Sequence, residues 1–329
     1  MHKQKVIIRV DGNSNIGLGH IYRGIALAEM LKNDFDVCFI TKPNSTITPI
    51  TDVGFNYKLL PEITFLEEPN WLKQNIDNEA IIICDGYEFT EEYQQKIKNN
   101  NFKLVYVDDL AKGTQKADIV INHSPGIKEE DYKAEAYTQF ALGLDYALIR
   151  QSFINFDRQN KKTNNNTETI FVSFGGADPK DFTYKVVEQL INIEGIRKIN
   201  VVLGSAYKHN KLKDLSSDKI NIYNNLAEKD IFEVMKNSDL AIVPASTTSI
   251  ELAFIGVPIL LGYFVDNQKI IYNGFVEKNT VYPLGDFNKK DFSELGNDII
   301  KYKNKKELLN IINETKPNRN IIKLINNLC

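Results

Sequence analysis

The chain has 329 residues, 43% apolar and 25% charged, with 40 basic against 43 acidic side chains for a formal charge of −3. That is the make-up of an ordinary soluble globular protein long enough for two domains, and it argues against a general electrostatic grip on nucleic acid or on an anionic membrane while leaving room for a local basic pocket. Cys38, Cys84 and Cys329 lack metal-ligand spacing and read as free thiols of a reducing cytoplasm. The opening "MHKQKVIIRVDG" holds only about five consecutive apolar residues, too few for a signal-peptide core. No segment approaches the roughly 18 apolar residues of a membrane helix. The expected location is the cytoplasm, without membrane insertion.

Short runs rich in Ile and Val recur along the first half: "KVIIRV" (5–10), "FDVCFIT" (35–41), "YKLL" (57–60), "AIIICD" (80–85), "KLVYVDD" (103–109) and "DIVIN" (118–122). Being apolar on both faces, they predict parallel strands buried between helix layers. Helical spacing fills the gaps. In 20–33 it places Ile21, Ile25 and Ala28 near one face, and 90–100 is a second helix. The polar stretch 156–168 breaks the pattern and reads as a linker. The alternation then restarts with "TIFVSF" (169–174), "INVVLG" (199–204), "INIYNN" (220–225), "LAIVPA" (240–245) and "PILLGYF" (258–264), with helices near 180–193, 228–237, 247–256 and 267–276. The prediction is two α/β units of similar build, 1–155 and 169–310, and a helical tail, 311–329, that can return to the first unit. In such a design ligands lie outside the carboxyl ends of the strands, so the expected site is a cleft between the two units.

Three motifs stand just after strands. In "DGNSNIGLGH", Gly17 and Gly19 let the backbone turn and approach a ligand, and the helix starting at His20 points free N–H groups the same way. The dinucleotide fingerprint needs a third glycine at position 22, which is Tyr22. His20 either caps and packs or faces a ligand. Asp11 orients His20 or the loop, or merely bonds turn amides. In "VSFGGADPKDFT", Gly175 and Gly176 make a tight turn or admit a diphosphate, with Asp178 as the expected N-cap of a helix. In "PASTTSIELAFIGVPILLGYFVDNQ", Ser246, Thr247, Thr248 and Ser249 open a helix with more hydroxyls than a cap needs, suited to phosphate oxygens. Glu251 can accept from ribose hydroxyls. Arg23 and Gln268 are further candidate substrate contacts. "VDD" (107–109) reads as hydrogen bonding or capping, His123 as a side chain that faces the cleft or, more in keeping with its setting, the surface, and His209 as solvated. No metal ligands or cofactor motif emerge.

Together "RVDGNSNIGLGHIYRGIALA", "VSFGGADP", "STTSIELAFIGVPILLGYFVDNQ", "GLDYALIR" and the aspartate-x-tyrosine of "CDGYE" resemble the UDP-sugar hydrolases of pseudaminic acid biosynthesis and their spore-coat polysaccharide relatives. The resemblance implies the glycosyltransferase-B architecture, two Rossmann-like domains facing across a cleft. It also implies hydrolysis of a UDP-sugar of the UDP-2,4-diacetamido-2,4,6-trideoxy-β-L-altrose type, with water as acceptor and without cofactor or metal. It places the catalytic histidine at His20, its tyrosine at Tyr87, its asparagine at Asn267 and the nucleotide-binding glutamate at Glu251. The family's "DHYG" is "CDGYE" here, so its histidine is absent at Gly86. The expected reaction is direct attack of water at C1 with inversion. His20 is the base, and Asp11 and Tyr87 position water or sugar. Two alternatives share these residues: an inverting glycosyltransferase of polysaccharide assembly, and a non-catalytic nucleotide-sugar-binding protein. A monomer or weak oligomer is expected.

Overall fold

The computed structural model describes residues 3–13, 17–158, 167–224, 226–304 and 315–329. The chain divides into two compact units, Met1–Gln151 with Thr315–Cys329, and Ser152–Glu314. Of the expected linker 156–168, residues 159–166 lie outside the described residues, as do 305–314, which span the end of the expected second unit and the start of the expected tail.

Unit 1 runs β1 (Lys5–Val10), α1 (Gly19–Leu31), β2 (Asp36–Thr41), α2 (Thr48–Asp52), β3 (Asn56–Leu59), α3 (Glu68–Asn75), β4 (Ile81–Asp85), α4 (Glu91–Asn99), β5 (Lys103–Val107), β6 (Thr114–Gln115), β7 (Ile119–Asn122), β8 (Lys133–Ala134) and β9 (Gln139–Leu142). Seven strands form one sheet in the order β3-β2-β1-β4-β5-β7-β9, all parallel. β6 and β8 form a separate two-residue pair. The Ile/Val runs have the reason expected of them: β4 and β7 are buried at every residue and β1 at all but Lys5. Such strands are stable only with helices on both faces, where each fully buried Ile or Val contributes about 1.5–3 kcal/mol. α1 presses closely on this sheet at Gly24, where an added Cβ would stand 3.3 Å from Phe39 Cε1 and 3.4 Å from Ile8 Cγ2. Gly24 thus supplies the close helix-strand approach that Tyr22 cannot.

After α5 (Gln151–Ile154), unit 2 runs β10 (Thr169–Val172), α6 (Phe182–Leu190), β11 (Lys198–Leu203), β12 (Ile220–Asn224), α7 (Glu228–Lys236), β13 (Leu240–Pro244), α8 (Thr247–Phe254), β14 (Ile259–Tyr263), α9 (Lys269–Glu277), β15 (Tyr282–Asp286) and α10 (Leu295–Asn304). Its six strands are ordered β12-β11-β10-β13-β14-β15, again all parallel. Strand β15 escapes a sequence reading because Pro283 and Gly285 resemble a turn. It pairs with β14 across a register shift beside Leu261 and Gly262.

The last helix, α11 (Pro317–Asn326), belongs to unit 1. Ile321 and Ile325 are fully buried where it packs on α1 and on the 3-10 turn Leu144–Tyr146. Asn320 Nδ2 donates to the Asp145 carbonyl at 2.9 Å. Among the described residues no helix is long and apolar enough to cross a membrane.

Candidate active site

In both sheets the first strand lies in the middle and the winding reverses beside it: between β1 and β4 in unit 1, and between β10 and β13 in unit 2. Loops leaving such a pair of strands diverge and open a crevice at the carboxyl edge. The motif residues stand at these two reversals.

In unit 1, β1 leads through Gly17, at φ +86°, into α1, and His20 is the second residue of that helix. β4 ends at Asp85 and is followed by Gly86 and Tyr87. The parallel pairing of β1 with β4 sets Val10 beside Asp85, which brings the two loops together. His20 Nδ1 is 2.7 Å from Asp85 Oδ1, and its ring meets Tyr87 edge-on with centroids 4.8 Å apart. An ionised carboxylate only accepts, so the Nδ1 proton points at Asp85 and the Nε2 lone pair is left outward. The ring keeps 16% of its surface exposed and Tyr87 46%. A base whose far nitrogen is anchored and whose near nitrogen is open is equipped to take a proton from a small molecule.

Behind the ring, Arg23 is buried between two carboxylates. Its Nε and Nη2 donate to Asp85 at 2.8 and 2.5 Å. Its Nη1 and Nη2 donate to Asp109 at 2.5 and 3.0 Å. Burial works against a charged His20, yet Asp85 outweighs it and raises the imidazole above its ordinary value. Burial likewise opposes ionisation of Asp85, and Arg23 with His20 overcomes it, holding the carboxyl well below the usual range.

Asp11 takes the loop-bonding course among its readings, and Arg23 is committed within the protein. Asp11 does not orient His20. Its Oδ1 accepts from Lys42 N at 2.7 Å and Ser45 Oγ at 2.9 Å, and its Oδ2 lies 2.8 Å from Arg9 Nη1. Arg9, fully buried, also forks onto Glu68. Asp11 is therefore a strut between loops, and Asp85 holds the histidine. Arg23 is no substrate contact, since both edges of its guanidinium are taken. Asp108 does cap, accepting from Leu110 N and Ala111 N, whereas its neighbour Asp109 turns to Arg23.

Two histidines also differ from expectation. His123 is buried, its Nδ1 accepting from Leu148 N at 3.2 Å. Burial and then the Arg23 charge push it down to about 4, so it is a neutral side chain. The unanticipated strand β9 covers β7 and makes the end of β7 interior. His209 is half-buried rather than solvated, with Nε2 2.9 Å from the Asp178 carbonyl.

In unit 2 the loop after β10 carries Gly175, at φ +80°, and Gly176, and space opens beside both. Gly204, after β11, was missed by the sequence reading. A Cβ there would lie 2.4 Å from Gly176 Cα, so only glycine lets the two loops touch. The helix expected from Asp178 begins instead at Phe182. Asp178 still closes it, accepting from Phe182 N at 2.9 Å and Thr183 N at 2.7 Å.

The start of α8 is left open by contrast. Ser246 and the buried Ser249 satisfy one another: Ser249 Oγ accepts from Ser246 N at 3.1 Å and donates to the Ser246 carbonyl at 2.7 Å. The half-buried Thr247 and Thr248 follow, with no acceptor for their amides among the described residues. Two free amides and two hydroxyls at a helix start have the chemistry that anion binding calls for. Glu251 is one turn inside and buried. Asn267 is half-buried in the 3-10 turn Asp266–Gln268 after β14. Gln268 spends its side-chain carbonyl on Phe264 N at 2.9 Å. Since β10, β13 and β14 are neighbours, Gly175, Thr247, Thr248 and Asn267 share one edge of that sheet. Among the described residues no three His, Cys, Asp or Glu side chains are grouped to hold a metal.

No family model matches the chain. It is 31% identical over 291 residues to an uncharacterised protein of Methanocaldococcus jannaschii, covering 83% of this chain and 58% of that protein's length. It is 26% identical to the spore coat polysaccharide biosynthesis protein SpsG of Bacillus subtilis, covering 84% of this chain and 83% of SpsG. It is also 26% identical to the UDP-2,4-diacetamido-2,4,6-trideoxy-beta-L-altropyranose hydrolase of Campylobacter jejuni, covering 80% and 93%. Among solved structures, MurG of Acinetobacter baumannii superposes with a TM-score of 0.66 at 12% identity, over 98% of this chain and 99% of MurG. The calicheamicin glycosyltransferase CalG4 does so with 0.62 at 9%, over 100% and 95%. The fold is that of the glycosyltransferase-B proteins, with two Rossmann-like domains.

Proposed function

We propose that the protein is a nucleotide-sugar enzyme that hydrolyses a UDP-sugar of the 2,4-diacetamido-2,4,6-trideoxy-hexose type. The observation that carries this reading is the His20–Asp85 pair, an anchored imidazole with an open Nε2 at the reversal of unit 1. The similarity to the C. jejuni hydrolase, which covers most of both chains, supports the choice of reaction and substrate class. The similarity to SpsG fits a place in polysaccharide biosynthesis.

The chemistry follows from the residues. His20 Nε2 takes a proton from water as the water oxygen bonds to C1 of the sugar. The bond from C1 to the diphosphate oxygen breaks, and its electron pair leaves with UDP. Attack opposite the leaving group inverts C1. UDP is already a good leaving group, so its growing charge needs donors rather than an acid. The amides and hydroxyls of Thr247 and Thr248 have the character of such donors. Asp85 fixes the tautomer and steadies the imidazolium, and Tyr87 forms a wall beside the ring. Gly175 and Gly176 leave room for backbone approach to the diphosphate. Glu251 and Asn267 are assigned to ribose and sugar respectively.

The test is incubation of the full chain with the diacetamido UDP-sugar in ¹⁸O-labelled water and no acceptor. Stoichiometric UDP release with label on sugar C1 and none in UDP is the expected result. UDP release that depends on an added sugar hydroxyl makes the protein a transferase. Binding without turnover under either condition makes it a carrier.

A further inference from the structure

The His20 site holds one carboxylate more than an imidazole-carboxylate pair needs. Asp109, just past β5, has no hydrogen bond to the ring. It grips the far edge of Arg23 with both oxygens, while the near edge of Arg23 grips Asp85. The same guanidinium brings Nη2 to 3.1 Å from His20 Nδ1, where its charge works against any proton added to the ring. With the ring neutral, Arg23, Asp85 and Asp109 sum to one negative charge, and protonation brings the cluster to zero. Without Asp109 the same step would run from zero to one positive charge in a buried setting, which is costly.

We infer that Asp109 is a positioning residue of the His20 site: it neutralises Arg23, so that the guanidinium can lock Asp85 in place without repelling the proton that His20 must accept. The other polar groups around the cluster leave this role to Asp109. Asp108 is spent on two amides and on Tyr132 Oη. Tyr106 Oη donates to the Gly86 carbonyl, His123 is buried and neutral, and Tyr87 offers His20 the edge-on ring contact.

The test reads the imidazole directly, by NMR titration of His20 in the full chain, so that it stands apart from the hydrolase reading. In Asp109→Asn the His20 midpoint falls by about one pH unit, the low end for losing one nearby charge. In Arg23→Gln it rises. In the double variant it returns toward the wild-type value, because Asp85 alone again leaves one negative charge. The rise in Arg23→Gln supplies the answer if Asp109→Asn does not fold. An unmoved midpoint in both single variants, or a double variant as low as Asp109→Asn, overturns the inference. Midpoints that move while the acid limb of kcat/KM stays fixed uphold the role of Asp109 and remove His20 as the base.

Discussion

Unit 1 and unit 2 wind alike, yet their reversals are furnished differently. Beside the β1–β4 reversal four ionisable side chains are linked in one chain of contacts, His20, Asp85 and Arg23 with Asp109 from just past β5. Between β10 and β13 stand glycines, amides and hydroxyls, with Thr247 and Thr248 foremost. The helix that matters also changes. In unit 1 it is α1, after the first strand, and it carries the imidazole. In unit 2 the helix after the first strand, α6, is shut by Asp178, and the open start belongs to α8 beyond β13. One topology thus carries two kinds of polar furnishing, and the proposed division of labour, proton transfer in unit 1 and anion binding in unit 2, follows which loop keeps its polar groups unspent.

That contrast is broken most directly at His20. His20→Ala should lower kcat by about 10²–10⁴-fold while UDP affinity, read by calorimetry, stays the same. A comparable loss of UDP binding would place the anion seat in unit 1. In the wild type the acid limb of kcat/KM should lie above 6.5. The reason is that Asp85 outweighs burial and raises His20, and in the proposed mechanism His20 accepts a proton only when neutral.

The anion seat is the next largest effect. Thr247→Ala with Thr248→Ala removes two hydroxyls from a charged ligand. At about 1.5 kcal/mol each, UDP should bind roughly 100-fold more weakly with little change in the pH profile. Unaltered UDP affinity would empty unit 2 of its assigned task.

The smallest effect concerns stability. His123 is held neutral with a value of about 4 against an unfolded value near 6.5, so unfolding takes up a proton between those limits. The stability this gives is present above about 6.5 and is lost as pH falls toward 4, at most about 3 kcal/mol. His20, raised by Asp85, has the opposite sign, its contribution fading as pH rises through its own midpoint. Trp71, the single tryptophan, lies in α3 of unit 1 and reports that unit alone. Urea titrations followed by its fluorescence should show unit 1 weakening from pH 6.5 to 4. His123→Asn, which keeps an acceptor for Leu148 N without a titrating ring, should flatten that stretch. A slope unchanged in His123→Asn would assign it to other groups.

The residues themselves announced much of this. Ile/Val runs buried on both faces gave parallel strands, because only such runs tolerate helices on either side. Gly17, Gly19 and His20 marked a strand-loop-helix junction, and the crowd of hydroxyls at 246–249 marked a helix start. What they could not announce was partnership. Asp85 stood in the quoted "CDGYE" and Asp109 in "VDD", but they lie 62 and 86 residues from Arg23. Asp11, near His20 in the chain, is tied instead to Arg9, Lys42 and Ser45. His123 is buried with its ring accepting from Leu148 N, 25 residues on, and β9 mixes polar and apolar residues too freely to announce itself. Local pattern fixes which segments are strands, turns and helices, since it expresses burial and backbone geometry within a few residues. Which side chains meet at a sheet edge depends on strand order and register, and those are settled only when segments far apart in the chain pack together.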